Sequence, residues 1–383
     1  MKEKSMSKKT SQFFMERNSS KSTQVGYNAS IKHFEKCTGM NLDEMITIAK
    51  TERKLDWEDT HLRSWLIIFR NYLYNNFKES SAKVNLARIR TIFHHFRVPM
   101  DDLPYFSTKQ TRKSEEIDYE DLPDREILKK CIEIKNPLLK ALTLFISSAG
   151  TSRRDTSELR IKDYVKSVFE YTNTEDIYEA IRIMGESEVD IVPTFKLKRR
   201  KTGETYRTFA SPEAVKAINI YLLSRKDELT LDSKLFNVNY RYINTLFKET
   251  NDTLNLGEVN DHGRFCPQML RSYQATQLSE AGMNDSLIDL IQGRKPSSIA
   301  RKSYIRVKRE TLKEEYIRCL PFLVVEDIEK IRTELDVVKD ENSVLKEENH
   351  KFKEVVDNID EVIERKIREA IGGNDDKFED LFS

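Results

Sequence analysis

Pro137-Leu-Leu-Lys-Ala-Leu-Thr-Leu-Phe-Ile-Ser-Ser-Ala-Gly150-Thr-Ser-Arg153-Arg-Asp155 is the stretch whose reading decides the fold. Its first half is apolar on nearly every face, the pattern of a helix enclosed in a core rather than laid on a surface. Gly150 then stops the helix, because glycine takes the left-handed conformation in which helices commonly end. The polar residues that follow present Arg153 just before a new helix begins. A cation is thereby set at the end of a rigid, buried element.

Working outward, helices are expected at about 124–134 and 136–148. Farther on, Val189 to Leu197 alternates apolar and polar residues and reads as a strand. Thr202-Gly203-Glu204 is a turn, and Tyr206 to Phe209 returns as the partner strand. A helix opens after Ser211, with Ser211 as N-cap, Pro212 in its first position and Glu213 in its first turn. Helices continue to about residue 320. The fold class is therefore mainly α with a small antiparallel sheet (α+β).

Toward the N-terminus, residues 1–20 are polar and Lys/Ser-rich and read as a flexible basic arm. Residues 21–105 carry helical periodicity. Val25, Ile31 and Phe34 are expected on one face. Leu62, Trp65, Leu66, Phe69 and Leu73 form a second stripe, and Val84, Ile89, Ile92, Phe93 and Phe96 a third. Lys83, Arg88, Arg90 and Arg97 lie between the stripes and are candidates to face a phosphate backbone. The segment 99–123 has prolines and mixed charge without periodicity, so residues 106–123 read as a linker. The second domain is expected over 124–324.

The C-terminal part is of another kind. Ile328, Ile331, Leu335, Val338, Asn342, Leu345, Asn349, Phe352, Val356, Ile359 and Ile363 keep a 3-4-3-4 rhythm. That is a coiled-coil signature, with Asn342 and Asn349 at a positions, where buried asparagines favour a parallel dimer in fixed register. Flanking pairs such as Glu334 with Lys339 and Glu341 with Lys346 have opposite signs. The coiled coil is expected over 325–370 and an acidic flexible tail over 371–383.

The chain has 383 residues and a net charge of +1, which conceals an uneven distribution. Residues 1–113 hold 21 Lys/Arg against 12 Asp/Glu, and residues 325–383 hold 10 against 19. A basic front with an acidic tail suits a DNA-contacting N-terminal domain, because phosphate neutralisation dominates DNA affinity. No apolar run is long enough for a membrane span, and the first residues lack the apolar segment of a signal peptide. Cys37, Cys131, Cys266 and Cys319 are scattered without metal-ligand spacing, which points to a reducing interior and away from a zinc site. A cytoplasmic, nucleoid-associated protein is expected.

Breaking a DNA phosphodiester without a metal needs a nucleophile that stays attached and donors for the charge growing on the non-bridging oxygens. Arginine suits the second task through its planar, permanently charged fork. The chain offers Arg153 with Asp155 two positions later, and Lys201-Thr-Gly203 at the hairpin turn. Then come Pro267-Gln268-Met-Leu-Arg271, Gly293-Arg294, and Tyr304 ten residues beyond. In this order the residues resemble the tyrosine recombinase (phage-type integrase) family, especially its archaeal branch, over about residues 124–310. Residues 21–105 resemble the family's core-binding domain in size, helix content and charge only. Two positions depart from the family pattern: Gln268 stands where histidine is usual, and Arg294 where histidine or tryptophan is usual. Glutamine can donate to a phosphate oxygen but cannot relay a proton. His262 is near in sequence and is a substitute candidate.

The resemblance implies Tyr304 as nucleophile, with Arg153, Arg271, Arg294 and Gln268 around the scissile phosphate. It implies Lys201 as the acid for the leaving 5′ oxygen, with Lys198 in reserve, and Asp155 as support for the arginine. It implies a site-specific DNA recombinase or integrase of a mobile genetic element, working through a 3′-phosphotyrosine without metal or cofactor. The expected partner is double-stranded DNA. A homodimer through the coiled coil and a tetramer on paired DNA sites are expected, with no small-molecule substrate. A type IB topoisomerase-like enzyme and a non-catalytic DNA clamp built on the same fold are the alternatives.

Overall fold

The computed structural model describes residues 7–109, 117–294 and 308–326, and the chain divides into two units, Met1–Ile117 and Asp118–Ser383. The expected fold class holds: the described residues are mostly helical, with two short antiparallel hairpins. No helix among them is long and apolar enough to cross a membrane. Tyr304 and the coiled-coil span 328–363 lie outside the described residues.

The first unit contains α1 (Lys8–Glu16), α2 (Lys21–Thr38), α3 (Leu42–Thr51), α4 (His61–Asn76) and α5 (Glu79–His95). Ser7, Ser20, Asn41 and Thr60 cap the first four, each accepting a first-turn N–H on its side-chain oxygen. Phe34 is at the centre of the core, with ring centroids 5.0 Å from Phe69 and 6.0 Å from Phe93. The stripe from Leu62 to Leu73 is buried.

Three expectations change here. Residues 8–16, expected within a flexible arm, form α1, because Ser7 caps it and Phe13 and Phe14 enter the core. Val25 and Val84 are exposed. Each is off its stripe by helical spacing: Tyr27, four residues before Ile31, and Ala82, seven before Ile89, take those places instead. The core also reaches past residue 100, where Met100, Leu103 and Phe106 pack onto it and Arg70 donates to the Pro104 carbonyl at 2.6 Å.

The second unit runs α6 (Arg125–Ile132), α7 (Pro137–Ala149), α8 (Arg153–Glu158), α9 (Ile161–Thr172), α10 (Ile177–Glu186), β1 (Thr194–Lys198), β2 (Thr205–Phe209) and α11 (Pro212–Leu223). It continues through α12 (Tyr240–Thr253), β3 (Glu258–Val259), β4 (His262–Gly263), α13 (Pro267–Glu280), α14 (Asp285–Ile291) and a final described helix, Arg309–Leu323. α7 is the axis, buried from Leu139 to Ala149 apart from the half-buried Lys140, and it packs on α6, α11 and α13. Truncating a residue as enclosed as Phe145 to alanine would cost about 3–5 kcal/mol.

β1 begins at Thr194 rather than Val189, because Pro193 has no N–H to give to a ladder. Its register pairs Thr194 with Phe209 and Lys198 with Thr205. The hairpin β3–β4 was not expected. Its turn residues Asn260 and Asp261 both have positive φ, the mark of a two-residue primed turn that asparagine and aspartate tolerate.

Candidate functional site

The site is built on the end of α7. Gly150 has φ of 60°, and a Cβ there would lie 2.5 Å from the Gln274 side-chain oxygen, so no other residue fits without displacement. The last two carbonyls of α7 and that of its cap, Gly150, are taken by side chains from distant elements. Tyr316 Oη donates to Ser148 O at 3.0 Å, Thr208 Oγ1 to Ala149 O at 2.6 Å, and Arg271 Nη1 to Gly150 O. Helix-end carbonyls that would otherwise be orphaned therefore fix the hairpin, α13 and the final helix to one point.

Arg271 emerges from the first turns of α13 and is only 4% exposed. Its second fork nitrogen donates to the Gln292 carbonyl at 2.6 Å. Gln292 returns the contact, donating from Nε2 to the Arg271 carbonyl at 2.9 Å and to Gln274 Oε1 at 2.6 Å. Burial, then the Arg294 charge, bring the Arg271 guanidinium down to about 10, with Arg199 adding to the effect and Tyr206 and Asp155 opposing it. It still carries its proton at neutral pH by about a thousand to one. Its neighbours make that charge costly to hold.

Arg294 follows α14 after a Gly293 of φ 63°, and its N–H donates to the Asp289 carbonyl at 2.8 Å. A Cβ on Gly293 would be 2.7 Å from the Tyr206 ring, so the Gly-Arg turn lies directly on β2. Arg199, the first residue past β1, donates Nη1 to the Gly293 carbonyl from the other side. The buried Tyr206 hydroxyl is near Asp155 without the geometry of a hydrogen bond, and burial, then the Asp155 charge, push its phenol up.

Asp155 ties α8 to the hairpin. Its Oδ1 accepts the Arg200 N–H at 2.9 Å, and its Oδ2 accepts the Ser152 hydroxyl at 2.7 Å. Arg153 is half-buried at the start of α8, with its guanidinium carbon 5.6 Å from the Tyr240 ring centroid. Tyr240 also has Arg241 at 5.9 Å. Its phenol is lowered, first by its hydrogen bond with Arg241, then by that residue's charge, with Arg154 and Arg153 adding.

Among the residues expected from sequence, Arg271, Arg294 and Asp155 are thus brought into one electrostatic group, with Arg153 at the start of the helix that carries Asp155. Gln268 is exposed one helical turn before Arg271. Lys201 is exposed at the hairpin apex, where Gly203 N–H closes onto the Arg199 carbonyl at 2.7 Å. Lys198 is exposed at the end of β1, and His262 is exposed in β4, with no described contact to the arginines. In the first unit, Lys83 pairs with Glu79 at 2.6 Å, and Arg88 donates to the Gly26 carbonyl at 3.2 Å. Arg90 reaches Asp102 at 3.4 Å, and Arg97 is exposed with φ of 57°. Arg199, Tyr206, Tyr240 and Gln292 were not singled out from sequence. The run Lys198-Arg-Arg-Lys201 was the available signal for the first of them.

No family model and no curated protein matches the chain. Solved structures do. A transposon integrase, that of Tn1549, in complex with circular intermediate DNA aligns with a TM-score of 0.51 at 13% identity, covering 81% of this chain and 98% of its own. A second structure of the same integrase with circular intermediate DNA gives 0.50 at 13% identity and the same coverage. This chain has an integrase fold. At such identity the likeness is one of fold.

Proposed function

We propose that the chain is a site-specific DNA recombinase that breaks and rejoins strands through a 3′-phosphotyrosine on Tyr304. The observation that carries this reading is Arg271. It is a buried cation held by two main-chain carbonyls, beside Arg294 and Arg199, and among the described residues Asp155 is the carboxylate that acts on it, from outside hydrogen-bond contact. Such a group lacks an anion, and a phosphodiester supplies one of the right shape and charge. The integrase fold supports the reading. The integrase it resembles was solved on DNA, which makes duplex DNA the natural substrate to test.

In the proposed mechanism Arg153, Arg271 and Arg294 hold the non-bridging oxygens, with Gln268 donating from the exposed first turn of α13. Tyr304 attacks in line, its phenolic proton passing to solvent water, and displaces the 5′ oxygen, which Lys201 protonates from the hairpin apex. A 5′ hydroxyl from a partner strand then reverses the step. The energy of the broken bond stays in the phosphotyrosine. Removing one donor to the developing charge is expected to slow cleavage about 10²–10³-fold. Dimerisation through 325–370, with a tetramer on paired sites, would bring two duplexes together.

The test uses duplexes nicked near the cleavage site, so that the cleaved strand's end diffuses away and the covalent adduct accumulates. Wild type forms an adduct visible on a denaturing gel, and Tyr304→Phe does not. An adduct with Tyr304→Phe would overturn the nucleophile assignment. Tight, salt-dependent DNA binding without any adduct would favour the non-catalytic clamp. Resealing of the original strand only, even with paired sites, would favour a topoisomerase-like enzyme.

A further inference from the structure

We propose that Arg199 is a further phosphate-binding residue of this site, donating to the scissile phosphate from the base of the hairpin while Lys201 acts at its apex. The proposal rests on the recombinase reading above and adds a residue to it. Three observations carry it. First, the Arg199 guanidinium donates to the carbonyl of Gly293, the residue immediately before Arg294, so the two cations flank one peptide. Second, Arg199 is half-buried and acts electrostatically on both Arg271 and Tyr206, whereas Lys201 and Lys198 are exposed. Third, Arg199 has no carboxylate partner in the described structure. Arg200, its neighbour, points to Glu158 at 3.4 Å, and Asp155 spends its oxygens on the Arg200 N–H and the Ser152 hydroxyl.

The chemistry follows from donor counting. Arginine carries five N–H donors in a fixed plane. One of the Arg199 fork nitrogens serves Gly293, and that contact aims the rest of the group. Remaining donors can meet a phosphate oxygen alongside those of Arg271 and Arg294. A lysine at this position could hold the carbonyl or the phosphate, but not both in one plane.

The experiment measures single-turnover adduct formation by wild type, Arg199→Ala and Arg199→Lys. Nicked duplexes carry either a normal scissile phosphate or a neutral methylphosphonate, and melting temperatures are recorded for each protein. On the normal phosphate, Arg199→Ala is expected to be about 10²-fold slower and Arg199→Lys about 10-fold slower, with DNA affinity changed less than about threefold. On the methylphosphonate, which develops less charge for a cation to stabilise, the Arg199→Ala deficit is expected to shrink to within about tenfold. A mere strut for Gly293 would show the same deficit on both substrates, and that result overturns the proposal. So does a folded Arg199→Lys or Arg199→Ala protein that cleaves the normal phosphate as fast as wild type. If wild type itself forms no adduct, the recombinase reading fails and takes this proposal with it.

Discussion

Arg225 and Arg271 are both enclosed arginines of the second unit, and their surroundings are opposite. Arg225 follows α11, its side chain 5% exposed, and its fork grips the Asp227 carboxylate while Nη1 donates to the Lys234 carbonyl at 2.7 Å. The Asp227 hydrogen bond holds its guanidinium above the ordinary arginine value. Arg271 has carbonyls for acceptors and other arginines for neighbours, and it is brought down to about 10. A guanidinium with its own carboxylate is electrically complete and closes a loop. One held by carbonyls among other cations is positioned but has no carboxylate in its grip among the described residues, and in the proposed function a phosphate takes that place.

The largest expected effect tests that contrast directly. Arg271→Ala is expected to slow adduct formation about 10²–10³-fold, roughly 3–4 kcal/mol of transition-state stabilisation. Wild type should gain melting temperature on addition of inorganic phosphate, because an anion bound only by the folded state stabilises it, and Arg271→Ala should lose most of that gain. Arg225→Ala should do the reverse. It is expected to lower stability by about 1–3 kcal/mol through the opened loop while leaving the single-turnover rate of the folded protein within about threefold. Equal losses of rate in both variants would end the distinction between them.

Next in size is the glycine beneath Arg271. Gly150→Ala forces a side chain into left-handed backbone and against Gln274, and about 2–4 kcal/mol of destabilisation is expected in chemical denaturation. Gly39 supplies the comparison: its φ is 72°, but nothing lies within 4 Å of the added Cβ, so Gly39→Ala should cost only about 1 kcal/mol. Similar losses at the two glycines would mean that Gln274 yields easily and does not brace Arg271.

These contrasts also show what was legible in the sequence. Gly150, Ser211 and the arginine after the α7 turn could be read because helix ends are decided by residues within a few positions of each other. Arg199 could not be told apart from Lys198 and Lys201, because its assignment depends on a carbonyl 94 residues away. Glu213 reads as a first-turn acid on the helix dipole. In the fold it is 3% exposed and accepts the N–H groups of Val325 and Glu326, more than a hundred residues on. Phe13 and Phe14 were submerged in a polar, lysine-rich segment whose composition suggested a flexible arm. The stripes of α4 and α7 were legible because burial follows helical spacing when the apolar run is long.

Glu213 gives the next effect in size, and its contrast is with Asp227. Asp227 is lowered, first by its hydrogen bond from Arg225, while burial pushes Glu213 up to about 7 against the pull of the two N–H donors and Lys140. A raised carboxyl means that the folded state keeps a proton which the unfolded state has already released. Stability contributed by that proton is present below the unfolded value of about 4.5 and is lost as pH rises toward about 7. Chemical denaturation should therefore give a stability that falls by about 1–3 kcal/mol over that window, and Glu213→Gln should flatten the slope. An unchanged slope in Glu213→Gln would assign the pH dependence to other groups.

Arg153 is a third kind of arginine: among the described residues it leans on neither a carboxylate nor a carbonyl but on the face of Tyr240. An aromatic face attracts a guanidinium without neutralising it, so it can hold the group in place and still leave its charge for a phosphate. With Tyr240 open to solvent, a pair of this kind is a weak one. Tyr240→Ala should therefore reduce the rate of adduct formation at saturating DNA about two- to fivefold. Tyr240→Phe, which keeps the ring and loses the hydroxyl, should restore it. If the alanine and phenylalanine variants both fall equally, the hydroxyl rather than the ring face is what matters, and Tyr240 belongs with Arg241 instead of Arg153. If neither falls, Arg153 needs no preset orientation. In that case the preorganisation seen at Arg271 does not extend to the start of α8.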